Sequence, residues 1–186
     1  MRRSIRSRKC LLVLALAFSV GSAVAAEPPG LSAPLQPAAD RAPAPAFVLD
    51  DGAGKNVALA DYRGKVVLVD FWATECGGCV KEIPWFIEIG DVFKTAGLAV
   101  VGVSMDIAYE GLKDANEGWA KVRPWVQAHK VRYPVVMGDD VAMKAYSIEA
   151  LPVSYLVDRN GRIAAKYPGV VDRENLETNI RALLKE

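Results

Sequence analysis

The chain has 186 residues, 52% of them apolar and 24% charged, enough for one compact domain with its own core plus additional segments. Its formal charge of +1 conceals an asymmetry, because Arg2, Arg3, Arg6, Arg8 and Lys9 all precede the first acidic residue, Glu27, and without them 18 basic residues face 22 acidic ones. That balance leaves no electrostatic case for nucleic-acid binding, which needs a basic patch or stripe on the folded domain.

The first 26 residues have the layout of a secretory signal. A basic run is followed by the apolar stretch Leu11 to Val20 and then by small residues, with cleavage expected after Ala25 or Ala26. The apolar stretch is shorter than the roughly 20 residues that span a bilayer. Left uncleaved, it would serve as a membrane tether. Cys10 precedes the apolar stretch and is expected to be discarded with it, so Cys76 and Cys79 are the cysteines of the exported chain. An oxidising compartment does not leave thiols free by default, so the pair calls for a chemical explanation.

Residues 27–45 are dominated by Pro and Ala and read as a linker, either a tether or an extended arm. The domain is expected over 46–186. Phe47 to Leu49, the turn-forming Asp50-Asp51-Gly52-Ala53-Gly54 and Val57 to Leu59 predict a leading hairpin. Val66-Val67-Leu68-Val69 with Asp70-Phe71-Trp72 predicts a strand buried on both faces, hence central. Val80, Ile83, Phe86, Ile87 and Val92 recur at helical spacing, with Pro84 expected to kink the helix. Leu98 to Val103 is a second buried strand, which completes a right-handed βαβ unit.

From Asp106 to Arg132 the spacing of Trp119, Val122, Val126 and His129 predicts a helix with one apolar stripe. A short strand (Tyr133 to Met137) and a short helix (Val141 to Tyr146) follow. Val153 to Val157, Asp158-Arg159-Asn160-Gly161 and Arg162 to Tyr167 predict an antiparallel hairpin. Asp172 is placed to cap a last helix with Leu176, Ile180 and Leu183 inward. The sum is an α/β fold with a mixed sheet flanked by helices.

Cys76-Gly77-Gly78-Cys79 follows the central strand and opens a helix. At a helix N-terminus, unpaired amides and the helix dipole favour the thiolate of Cys76, the form that attacks disulfides. Cys79, one turn deeper, is within reach of a mixed disulfide on Cys76. The reading makes Cys76 the exposed attacking thiol and Cys79 the resolving one. A zinc site needs about four ligands and the chain offers one such pair and a single histidine, so no metal is expected. An inert disulfide across so short a loop would add little stability. His129 reads as an ordinary residue on a half-exposed helix.

Gly64 to Thr74 with the two cysteines, then Lys81-Glu82-Ile83-Pro84, Leu151-Pro152 and Tyr167-Pro168-Gly169, resembles the TlpA/ResA/CcmG branch of the thioredoxin superfamily. The resemblance runs from about Phe47 to the C-terminus. It implies a thioredoxin fold with an N-terminal hairpin extension and a helical insertion after the βαβ unit, and a periplasmic protein-disulfide reductase without a cofactor. It implies a cis-proline at Pro152 facing the cysteines, with Leu151 and Trp72 contacting an extended substrate, and it matches Glu82 and Asp70 to acidic residues near the cysteines. Glu82 shares a helix face with Cys79, and a buried Asp70 would have a raised pKa suited to proton transfer. For Glu82 the bland alternative is a solvated position beside Lys81.

The implied partners are disulfide-containing protein substrates, such as apocytochrome c or a copper-site assembly protein, and a membrane thiol donor of the DsbD/CcdA type. Two residues depart from the branch: Glu75 stands where Trp is usual and Gly78 where Pro is common. Glu75 is expected to oppose thiolate formation, and two glycines to loosen the loop. The alternatives weighed are a thiol peroxidase and a non-catalytic binding module using the Leu151-Pro152 groove. Against the peroxidase, no Pro and Thr stand before Cys76 in the peroxiredoxin manner.

Overall fold

In the computed structural model, which describes residues 30–186, the first strands form the hairpin. The signal-like segment and Cys10 lie outside the described residues. Strands β1 (Val48–Asp50) and β2 (Asn56–Ala58) pair antiparallel, with Leu49 opposite Val57. The Asp50 side chain accepts the N–H of Gly52, and the Asp51 side chain accepts those of Ala53 and Lys55, which closes the turn. Gly52 has φ +74° and lies against Trp119, where a Cβ would sit 2.6 Å from the indole. No other residue fits both demands.

Strand β3 (Val66–Trp72) is buried at every position. It leads to helix α1 (Gly77–Phe93), strand β4 (Leu98–Ser104), the two insertion helices α2 (Asp106–Glu110) and α3 (Ala115–Ala128), strand β5 (Val135–Met137) and helix α4 (Asp140–Ala145). Strands β6 (Val153–Val157) and β7 (Ile163–Tyr167) and helix α5 (Arg173–Leu183) complete the chain. The sheet order is β5-β4-β3-β6-β7, with β3 parallel to β4, β4 parallel to β5, and both β6 and β7 antiparallel to their neighbours. This is a thioredoxin fold with a mixed sheet and an added hairpin. Asp70 lies between Gly102 and Ser154 in the register.

Alternate residues of β3 serve two cores, as the period of a strand requires. Val66 and Leu68 pack with Phe86 and Ile89 of α1 and with Leu176, Ile180 and Leu183 of α5. Val67, Val69 and Phe71 pack with Phe47, Leu49 and Val57 of the hairpin and with Tyr146 behind α4. Asp172 caps α5 by accepting the N–H of Asn175.

Two helices differ from the sequence reading. Helix α1 continues through Pro84 to Phe93, but its inward set ends in Ile89 and Phe93, while Val92 is 66% exposed and Val80 half-buried. The core lies on two sides of this helix, so a single stripe places Val92 wrongly. The segment 106–132 holds two helices, because Gly111 adopts a left-handed conformation that ends α2. Trp119 and Val122 are buried, Val126 is half-buried, and His129 follows the end of α3 with its ring stacked on Trp125 at 3.7 Å.

Residues 30–45 run along the free edge of β7, extended except for a 3-10 turn at Ala38–Asp40. Gln36 donates to Ala164, Ile163 to Ala42 and Ala44 to Gly161, while Leu31 bonds Val170 and Asp172. Covering an edge in this way removes a row of unpaired backbone groups. Ala33 reaches the α5 core. Arg41, 2% exposed, donates to Asp158 at 3.1 Å and through both terminal nitrogens to Glu186 at 2.6 and 2.8 Å. Arg41→Ala leaves Asp158 buried without its cation, and unfolding free energy from urea titration is expected to fall by about 3 kcal/mol. An unchanged midpoint would show that the arm is held by its backbone bonds alone.

Candidate active site

The chain leaves β3 at Trp72, turns through Ala73, Thr74 and Glu75, and enters α1 with Cys76 at the N-cap. Cys76 has extended dihedrals, and its Sγ accepts the N–H of Cys79 at 3.2 Å. The sulfurs of Cys76 and Cys79 are joined in a disulfide, with Cα atoms 5.3 Å apart. In this oxidised form exposure does not separate the two: Cys76 is 3% exposed and Cys79 1%. The expectation of an exposed Cys76 is corrected for this form, in which it packs in a cluster with Trp72, Ile83 and Leu151. What distinguishes Cys76 is its place at the N-cap, where a reduced sulfur meets unpaired helix amides.

The Leu151–Pro152 peptide bond is cis. Pro152 is buried and Leu151 half-exposed. A Cβ on Gly78 would lie 3.0 Å from both Pro152 Cδ and Val170 Cγ2, so glycine is what permits the two loops to close on each other. The expected loosening therefore does not hold at Gly78, which is confined by packing. Beyond Leu151 lies a groove of about 260 Å³ whose lining includes Met105, Tyr109, Met143 and Ile148.

Asp70 and Glu82 are 1% and 0% exposed, which rules out a solvated position for Glu82. Glu82 Oε1 accepts the N–H of Val171 at 2.5 Å, and Asp70 Oδ1 lies 3.5 Å from Ser154 Oγ. Among the described residues neither Asp70 Oδ2 nor Glu82 Oε2 has a hydrogen-bond partner. Burial pushes the Glu82 carboxyl up to about 7, against the Val171 bond. Burial, and then the Glu82 charge, hold Asp70 well above the usual carboxylate range. Tyr133 faces the same pair: its hydroxyl is buried without a partner among the described residues, and burial followed by the two carboxylates raises it. Nothing in the local pattern before β5 marks Tyr133 for this position.

Trp72 does not line a substrate surface. It is fully buried, with its ring 4.8 Å from Trp125, so the substrate-contact expectation is corrected. Its row of β3 turns inward to α1. Sequence reasoning also misses a polar network on the insertion. Asp106, fully buried, accepts from Thr74 N at 3.1 Å, Thr74 Oγ1 at 2.6 Å and Ser104 Oγ at 2.7 Å. Thr74 Oγ1 also bonds Glu110, and Lys121 pairs with Glu110 and, at 3.2 Å, with Glu75. Among the described residues no group of three or more His, Cys, Asp or Glu is placed to hold a metal.

A sequence model of the AhpC/TSA family matches residues 41–166. The thiol-disulfide oxidoreductase ResA of Bacillus thuringiensis subsp. konkukian (strain 97-27) is 30% identical over 142 residues, 75% of this chain and 76% of that one. ResA of Bacillus subtilis (strain 168) is 29% identical over 162 residues, 87% and 81% of the two chains. Among solved structures, a Chlorobium tepidum protein assigned as the thiol:disulfide interchange protein DsbE superposes with TM-score 0.68 and 29% identity, covering 77% of this chain and 96% of that one. A thiol:disulfide interchange protein from Bacteroides sp. gives TM-score 0.63 and 30% identity, with coverage of 78% and 90%.

A carboxyl whose folded pKa is raised binds its proton more tightly in the folded state, so stability is lost as pH climbs from the unfolded value through the folded one. For Glu82 that window runs from 4.5 to about 7. Glu82→Gln is expected to remove this loss, stabilising the oxidised protein at pH 8 by up to about 3 kcal/mol while leaving it unchanged near pH 4. Urea titrations at the two pH values decide it, and equal differences at both would place the Glu82 charge in water.

Proposed function

We propose that this chain, which belongs to the AhpC/TSA family and is a thiol-disulfide oxidoreductase, works as a reductase of selected disulfides in exported proteins. The observation that carries the reading is the Cys76–Cys79 pair at the N-terminus of α1, backed by a carboxyl raised to about 7. The Cys76 thiolate attacks one sulfur of a substrate disulfide, forming a mixed disulfide and expelling the other substrate sulfur as thiolate. Cys79 then gives up its proton to the buried carboxylates and attacks Cys76 Sγ, which breaks the mixed disulfide. Two electrons pass from the dithiol to the substrate, and the protein is left in the oxidised form described above.

Glu82 is the proposed main proton acceptor, since it lies one turn beyond Cys79, with Asp70 contributing from the strand below. Leu151 and Pro152 would receive the substrate as an added extended strand. The resemblance to the TlpA/ResA/CcmG branch supports the periplasm as location, apocytochrome c or a copper-site protein as substrate, and a membrane donor of the DsbD/CcdA type to restore the dithiol. No helix among the described residues is long and apolar enough to cross a membrane. An uncleaved segment 1–26 would supply the tether, joined to the domain through the docked arm that begins near Leu31.

The family match also favours a second reading, a thiol peroxidase. It requires a cysteine that reacts with peroxide, and a peroxide-consumption assay separates the two. Measured against glutathione, the Cys76/Cys79 couple is expected at roughly −200 to −280 mV, whereas a value near −120 mV would make the protein an oxidant. Glu82→Gln is expected to slow release of a trapped mixed disulfide about tenfold at neutral pH and to shift its pH dependence, as loss of a proton acceptor does. Stopped-flow release at the wild-type rate across that range, with slow release in Asp70→Asn, would move the role to Asp70.

A further inference from the structure

Glu75 and the reduced Cys76 are adjacent anions at one helix end. Cys76 is the N-cap of α1 and Glu75 the residue before it, so both can draw on the same unpaired amides and the same dipole. The sequence alone makes Glu75 an opponent of the thiolate. The structure adds a third party: Lys121, from the middle of α3, reaches Glu75 Oε1 at 3.2 Å. Lys121 is itself only 31% exposed and is anchored on its other side by Glu110. Hydrogen bonding to Glu110 and then to Glu75 outweighs the loss of solvent and raises the ammonium, so it stays charged where the thiol works.

The anchoring extends inward. Glu110 shares the Thr74 hydroxyl with Asp106, and Asp106 holds the Thr74 backbone and Ser104 at the end of β4. Burial acts to raise the Glu110 carboxyl, but Lys121 and Asp106 bring it below its ordinary value, which keeps it an anion for Lys121. The two residues before Cys76 are therefore each held by the insertion: Thr74 by Asp106 of α2 and Glu75 by Lys121 of α3. An exposed ion pair adds little to stability. Its effect on a neighbouring charge is a separate matter.

We propose that Lys121 is a positioning residue for the thiol chemistry of Cys76: by engaging Glu75 it turns that carboxylate away from the helix end and leaves the end to the Cys76 thiolate. The inference rests on the dithiol reading above. Other charged groups around the corner are Asp106 and Glu110 on α2, Lys81 and Glu82 on α1 and Asp70 on β3, and the variants below leave all of them in place.

The test is the rate of iodoacetamide alkylation at Cys76 in the fully reduced chain, resolved by peptide mapping from pH 5 to 9. With one screened unit charge at stake, Lys121→Met is expected to slow Cys76 labelling about threefold at pH 7, and Glu75→Gln to speed it by a similar factor. Lys121→Arg is expected to keep the wild-type profile. In the Glu75→Gln background, Lys121→Met is expected to have no further effect, because the lysine then has no carboxylate to restrain. An unchanged profile in Lys121→Met, or an equal slowing with and without Glu75, overturns the proposal. Faster labelling of Cys79 than Cys76 in the wild type overturns the dithiol assignment itself, a distinct result.

Discussion

Because β3 is buried on both faces, the chain that leaves it at Trp72 must return over the same face to cover its even-numbered row, and α1 does so. Phe86 and Ile89 seat on Val66 and Leu68, which fixes the helix along the strand and its first turn over the strand end. The position of Cys76 is a consequence of this packing. So is the meeting of Asp70 and Glu82, since Asp70 shares the even-numbered row and Glu82 the inward side of the helix. A pair of buried carboxyls opposes folding whenever both are charged. The apolar contacts on both faces of β3 are what make that arrangement tolerable.

Much of this was legible where the signal is local. The apolar run of β3, the Asp-Asp-Gly turn, the spacing of the cysteines and the Asp172 cap each depend on residues close in sequence. Val92 was misplaced because α1 touches two cores and its inward side is wider than one stripe. Trp72 was misassigned because a motif gives the residue type and not the face to which the strand turns it. The partner of Glu75 lies 46 residues on, that of Thr74 32 and that of Arg41 145. No periodicity encodes such pairs. They exist only once the insertion and the arm have docked.

The insertion does more than lengthen the connection between β4 and β5. Its α3 receives the hairpin turn on Trp119 and Arg123, and presents Lys121 to the loop before the cysteines. The hairpin turn and the loop before the cysteines thus meet on one helix, although the hairpin and α1 cover opposite faces of β3. Glycine permits a close approach at Gly52, under the Trp119 indole, and separately at Gly78, against Pro152 and Val170, in both cases because another chain segment occupies the space of a side chain.

The extended arm ends its course at a telling place. Leu31 exchanges hydrogen bonds with Val170 and Asp172, and the residue between those two, Val171, is the one whose N–H holds Glu82, while Val170 lies against Gly78. Mechanically, whatever precedes Gly30 and the buried Glu82 carboxyl are coupled in series through a single three-residue strap. Tension on the leading segment would be borne first by the Leu31 bonds, and the next element in the load path is the support of Glu82 itself.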